Sequence, residues 1–299
     1  MNIVATAFPP PPHANGVVPE KMGFLWALHT RHGACITHMG LLSGTATYQL
    51  GVLSAMKIIT LVFLLLLATQ AVAQQNLFNI PSGDVNERNT FFYQHQINFH
   101  RSNFESKAHF VYGLGEGWDI GLNLVGKNFY FNPNWRMSYN DNPNQGALYP
   151  FLMPTIQKQF KLSEQFNLNI GSQIGTNLST VFSNKELGFF NYGLGVFHFM
   201  DNKSRIVGGI YYASSTFVGI GNHVGILFGY EIKISERFYL MGDWLSGTND
   251  SSVGVFGVMY NVSKRVQLCV GALIPNPGTP KPFGAVLEIN IMSWDLKID

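Results

Sequence analysis

The 299-residue chain has little charge, almost no cysteine and no long apolar run. Lys, Arg, Asp and Glu together make up 12% of it, about half the roughly 25% of an ordinary soluble domain. A net charge of +2 without a Lys/Arg cluster lacks the electrostatic footprint of a nucleic-acid binder. Two cysteines, Cys35 and Cys269, can build neither a disulfide framework nor a zinc site between them. The one strongly apolar stretch, Ile58 to Ala68 (IITLVFLLLLA), falls short of the about 20 residues a membrane helix needs. What abounds is apolar and aromatic surface: 46% hydrophobic residues, 24 Phe and 31 Gly. That excludes a long disordered chain. A very apolar soluble core remains, or a protein that crosses a membrane without helices.

The short apolar run has the flanks of an export signal. Met56-Lys57 supply a start and a positive charge, the run is the hydrophobic region, and Ala71-Val72-Ala73 is an A-x-A cleavage site. Residues 56–73 are therefore expected to be a signal peptide, with the exported chain starting at Gln74. Residues 1–55 carry Pro9 to Pro12 and no sustained period. They read as a gene-model extension or disordered leader, and Cys35 goes with them. Residues 74–299 are expected to form one domain.

That domain repeats a nine-residue phrase. Phe160 to Leu168 (FKLSEQFNL) recurs as Ile232 to Leu240 (IKISERFYL) and as Tyr260 to Leu268 (YNVSKRVQL). Tyr112 to Ile120 (YGLGEGWDI) is a glycine variant, and Asp201 to Ser204 is a fifth turn. Apolar-polar-apolar, three turn residues, then the same again is a tight hairpin between alternating strands. The spacing predicts twelve strands, near 90–100, 106–114, 118–130, 148–161, 166–178, 189–200, 205–214, 223–234, 238–246, 253–262, 266–274 and 283–291. All five tight turns fall at one end, and longer polar connections such as Asn132 to Gly146 fall at the other. Short turns opposite long loops are the layout of an antiparallel up-and-down transmembrane β-barrel.

Alternation separates two faces. Val224, Ile226, Phe228, Tyr230 and Ile232 alternate with Gly225, Leu227, Gly229, Glu231 and Lys233. Ions on the second face would be costly in hydrocarbon, so it is assigned to the lumen. A soluble sandwich shows the same period; the even strand count, low charge and aromatic residues near strand ends favour the barrel. The lumen-lining candidates are Lys107, His109, Asp119, Asn123, Lys127, Asn169, Gln173, Arg205, Glu231, Lys233, Asp243, Glu288 and Asn290. Both signs occur among them, which argues against a strong single-sign filter.

From Thr90 to Ile291 the chain resembles Gram-negative outer-membrane β-barrel proteins, most of all small channel or transport-type barrels of about twelve strands. Tyr112 to Asn123 (YGLGEGWDIGLN) is similar to a stretch of barrels that carry aromatic compounds. The resemblance implies a location in the outer membrane, the lipid bilayer, the secretion translocon and the barrel-assembly machinery as partners, and passive passage of small polar solutes. The end of the chain departs from it: such barrels close on an aromatic residue, whereas here the alternation changes phase after Ile291.

Other motifs read blandly. Gly113-x-Gly115-x-Gly117 is a hairpin turn and not a phosphate loop, because the spacing differs and no helix follows. Asn140-Asp141-Asn142 lacks calcium-loop spacing, and the histidines are scattered, so no metal or cofactor is expected. A lipid hydrolase would need Ser and His at hydrogen-bond reach on the lipid face. With the connection centred on residue 182, Ser172 faces Tyr192, and His198 lies roughly 20 Å away at about 3.3 Å per residue. No enzymatic activity is expected. The alternative to a channel is a plugged barrel with a structural or surface role.

Overall fold

Alternating strands joined by short turns can satisfy every backbone group only by pairing with neighbours, and in a membrane only by closing the sheet. The computed structural model describes residues 76–130, 136–178, 185–279 and 281–295. The expected leader, signal peptide and Gln74 start lie outside these residues. The strands are β1 (Thr90–Phe99), β2 (Asn103–Gly115), β3 (Trp118–Tyr130), β4 (Arg136–Ser138), β5 (Phe151–Lys161), β6 (Phe166–Asn177) and β7 (Leu187–Phe199). They continue as β8 (Ser204–Ala213), β9 (Val224–Lys233), β10 (Phe238–Leu245), β11 (Val253–Asn261), β12 (Val266–Pro275) and β13 (Gly284–Asp295). β1 pairs with both β2 and β13, so the antiparallel sheet closes on itself. Twelve strands form the wall; β4 pairs only with the end of β3, inside the long β3–β5 connection.

The repeated phrase works through its serine. Ser163 Oγ accepts from the Phe166 and Gln165 N–H groups at 3.0 and 3.3 Å. Ser235 and Ser263 make the same pair of contacts in the β9–β10 and β11–β12 turns. A hydroxyl that satisfies two turn amides fixes the reversal locally, and register follows: Glu231 opposes Met241 and Gly229 opposes Asp243.

Four expectations need correction. The β1–β2 connection is only His100 to Ser102, because β2 starts at Asn103 and not near 106. The last strand runs to Asp295, since its register against β1 skips a residue between the Tyr93–Ile291 and Phe91–Trp294 pairs. That bulge is the phase change read after Ile291. Third, Ser172 opposes Asn191 and donates to its Oδ1 at 2.6 Å. The β6–β7 reversal is thus centred half a residue earlier than 182, which turns His198, beside the inward-facing Asn167, to the inner face while Ser172 stays on the outer one. Fourth, Lys127 shares a register row with Ser106 and Ile97, on the outward side. A bulge between the Ser106–Lys127 and Ala108–Leu124 pairs moves it there; its side chain lies outside the described residues.

The outer face is apolar and exposed, with Ile170, Ile210, Phe228 and Phe256 among its residues. Among the described residues no helix is long and apolar enough to cross a membrane, which says nothing of a barrel. On that outer face His95 sits between Tyr93 Oη (2.9 Å to Nδ1) and Ser106 Oγ (3.2 Å to Nε2). In hydrocarbon, polar groups would have to satisfy one another, and these three do so here.

Candidate functional site: a barrel interior filled from one end

The residues before β1 do not leave the barrel; they enter it. Residues 76–89 run from mid-height down to the tight-turn end, where β1 begins, and Leu77, Phe78 and Ile80 are buried in the lumen. They pack against inward residues of the wall, including Leu227, Met241, Val255 and Val286. Burial of three such side chains contributes about 1.5–3 kcal/mol each. The top of the segment is a tight turn, with the Leu77 N–H on the Ile80 carbonyl at 3.0 Å and a bridge between Asn76 and Pro81.

Polar lumen residues grip this segment at three levels. At the top, Asp243 Oδ2 accepts from the backbone N–H groups of Phe78 (2.9 Å), Asn79 and Ile80 (3.0 Å). Successive amides converging on one oxygen form an anion-binding nest. Lower down, Gln157 and Gln159 donate to the carbonyls of Asp84 and Gly83 at 2.7 and 2.8 Å. Arg205 binds both Asp84 and Glu231, the latter at 2.7 Å. At the foot, both oxygens of Asp119 accept from the Asn86 N–H at 3.0 and 2.9 Å. Gly83 is needed here: its φ is +80°, and a Cβ would lie 2.4 Å from Val196 Cγ2.

The other candidates can now be placed. Glu288 and Asn290 are buried on β13 and hydrogen-bonded to each other at 2.9 Å. Asn169 is fully buried beside Gly83. Lys233 sits at the rim, paired with Glu236 of the adjacent turn at 2.5 Å. Lys107, His109, Asn123 and Gln173 line a cavity of about 580 Å³ above the inserted segment, and its floor is Asn76, Phe78, Asn79 and Pro81. Asn123 donates to Gln173 at 2.8 Å across one wall. Lys107 Nζ donates to Asn79 Oδ1 at 3.0 Å, and Asn76 Nδ2 meets Gln94 Oε1 at 2.6 Å and His109 Nδ1 at 3.1 Å.

Sequence reasoning missed several residues of this cavity. Gln94, Gln96 and Glu105 occupy inward positions of β1 and β2, and Lys281 reaches in from the β12–β13 loop to lie 3.6 Å from Glu105. Gln94 and Gln96 lie on the polar side of a strand whose alternation is plain, so that signal was available. The far side of the mouth is apolar. The β8–β9 connection holds one helical turn, α1 (Ser215–Val218), capped by the Ser214 hydroxyl, and presses Phe217 against Phe151 (ring centroids 5.7 Å apart) and Phe190 (6.1 Å). Backbone bonds from Leu148 to Thr216 (2.9 Å) and from Asp250 to Val218 (2.8 Å) hold three loops together there. Asp250 Oδ2 accepts from the Ala147 N–H at 2.6 Å.

Among the described residues no cluster of His, Cys, Asp and Glu could hold a metal ion. No protein-family profile matches the chain, and no curated protein matches it by sequence. Solved structures similar to it include an outer membrane channel from Pseudomonas putida F1, 13% identical over 75% of this chain and 100% of that one, TM-score 0.43. The outer membrane channel DcaP of Acinetobacter baumannii is 10% identical over 71% of this chain and 97% of that one, TM-score 0.30. A mutant porin of Rh. blastica is 8% identical over 69% and 99%, TM-score 0.29. Likenesses this distant carry no information on what this chain passes or binds.

Proposed function

We propose that the chain is an outer-membrane channel that passes small polar solutes passively, and that residues 76–86 are the element that keeps it closed. The observation that carries this reading is the division of the wall. Ionic and amide side chains face inward along the strands, beside a packed apolar inner side, while the outer face is Ile, Phe and Val, and a cavity lined by Gln94, Gln96, Glu105 and Lys107 runs from the loop end to mid-barrel. A barrel that needed only to be a structural plug would gain nothing from Lys107, Glu105, Gln96 and Lys281 around an empty volume. The chain itself carries no nucleotide motif to supply energy, so transport down a gradient fits it. Export through the secretion translocon and insertion by the barrel-assembly machinery complete the reading, with no enzymatic step.

The lumen candidates act in two groups. Asp119, Arg205, Glu231 and Asp243 hold the inserted segment, so they control opening rather than contact solute. Lys107, His109, Asn123 and Gln173 line the entrance. Flux of small uncharged and charged solutes into liposomes containing the refolded protein tests the reading. Size-limited flux that rises when the segment is released supports a channel. No flux from either the intact or the released form would make the barrel a structural one.

A further inference from the structure

The cavity has two unlike sides. β1 and β2 contribute Gln94, Gln96, Glu105 and Lys107, while β7, β10 and the loops at the mouth contribute Phe190, Leu245, Phe217 and Leu148. The aromatic surface runs from the start of β5, which pairs with β3, through Phe217 to Phe190 on β7, so it adjoins the polar side around one shared space.

The charges of the lining balance in number, Lys107 and Lys281 against Glu105 and Asp250, but they are not paired one to one. Glu105 has a cation in Lys281 at 3.6 Å and an amide donor in Asn98 at 3.3 Å. Asp250, at the loop edge, accepts from the Ala147 backbone. Lys107 has no carboxylate within ion-pairing distance among the described residues, and its ammonium donates to the neutral amide oxygen of Asn79. Glu105, Asp243 and Glu288 act on this ammonium only from beyond contact distance, and a carboxylate placed directly on it makes a charge-assisted bond roughly twice as strong as one to a neutral amide. About 580 Å³ leaves room for a small organic molecule with a body as well as a head.

We infer that this cavity binds a small amphipathic monocarboxylate, with its carboxylate on Lys107 and its apolar body against Phe151, Phe190 and Phe217. The inference rests on the channel reading for its purpose but on these residues for its chemistry. It also ties binding to the inserted segment. An incoming carboxylate competes with Asn79 Oδ1 for the Lys107 ammonium, and Asn79 belongs to the turn that closes the lumen. Gln96, which also donates to Asn79 Oδ1 at 3.3 Å, is the partner left to it.

Calorimetric titration of the refolded full chain in detergent with hexanoate, hexan-1-ol and hexylammonium tests this. Hexanoate should bind, and the alcohol and the amine should bind at least about tenfold more weakly, the size of one charge-assisted bond. Lys107→Gln should remove that preference while leaving the alcohol unaffected. Asn79→Ala, which keeps its backbone bond to Asp243, should tighten hexanoate. Phe217→Ala lies on a loop, outside the barrel wall, so it remains informative if Lys107→Gln fails to fold; it should weaken hexanoate more than acetate. Equal binding of hexanoate and hexan-1-ol, or hexanoate binding indifferent to both substitutions, would overturn the inference. Solute flux without hexanoate binding sinks the inference and leaves the channel; binding as described without flux in any form sinks the channel and leaves the site.

Discussion

Asp243 lies on the inward face that the strand period predicts, and there it holds the inserted turn. Strand period places it inward, opposite Gly229, and diagonal to Glu231. Two neighbouring acids invite a cation-filter reading, yet Asp243 is occupied by three amides of the inserted turn and Glu231 by Arg205. Asp243→Ala strands those three N–H groups, each worth about 1.5–3 kcal/mol when bonded to a charge. With a Leu77→Cys reporter, labelling by a bulky maleimide should be slow in the parent and at least about tenfold faster in Asp243→Ala. Cys269 belongs to the same buried cluster, so the reporter is placed on a Cys269→Ala background. On the other face, Phe228→Arg should cost about 2–4 kcal/mol near the midplane and impair assembly, measured as the folded fraction by heat-modifiable gel mobility, whereas Phe228→Leu should assemble normally. His100, in the β1–β2 turn, responds to pH. Burial holds its imidazole below the usual value of 6.5, with Glu105 opposing the shift. The unfolded chain then takes up the proton more readily, so stability is full above 6.5 and declines as pH falls from there toward the folded-state value. Thermal unfolding in detergent at about pH 7.5 and pH 5.5 should show this loss, and His100→Gln should reduce it.

At the scale of elements, what was legible is what local chemistry determines. The Ser163, Ser235 and Ser263 turns are written in adjacent residues, so strand ends from β5 to β12 fall within two or three residues of expectation. Bulges are not written that way: the phase slips at Lys127 and after Ile291 depend on how one strand meets another. The inserted segment was the least legible. Asn76 to Asn89 has no period, because its partners are Asp243, Arg205, Gln157 and Asp119 on four different strands. The inner apolar surface of Leu194, Val207, Leu227 and Met241 was the overlooked clue, since it exceeds what a water-filled lumen needs and calls for a filler. The mouth is assembled in the same nonlocal way. Asp250→Ala removes the acceptor of Ala147, and limited proteolysis within residues 141–146 should speed up several-fold while barrel heat stability is kept.

The whole molecule is a closed wall with an apolar outside, an interior packed on one side and polar on the other, and a strand-length segment threaded into it from the tight-turn end. Leu77, Phe78 and Ile80 fill the space beside Gly229, Gly257 and Gly271 at mid-height. In the proposed reading closure is a property of the segment and not of the barrel. The direct test is single-channel conductance in planar bilayers of the chain starting at Gln74 beside the same chain lacking residues 76–86. A small or intermittent conductance in the first and a steady one many-fold larger in the second is the predicted result. Equal conductance in the two, or none in either from protein shown to be folded, would contradict it.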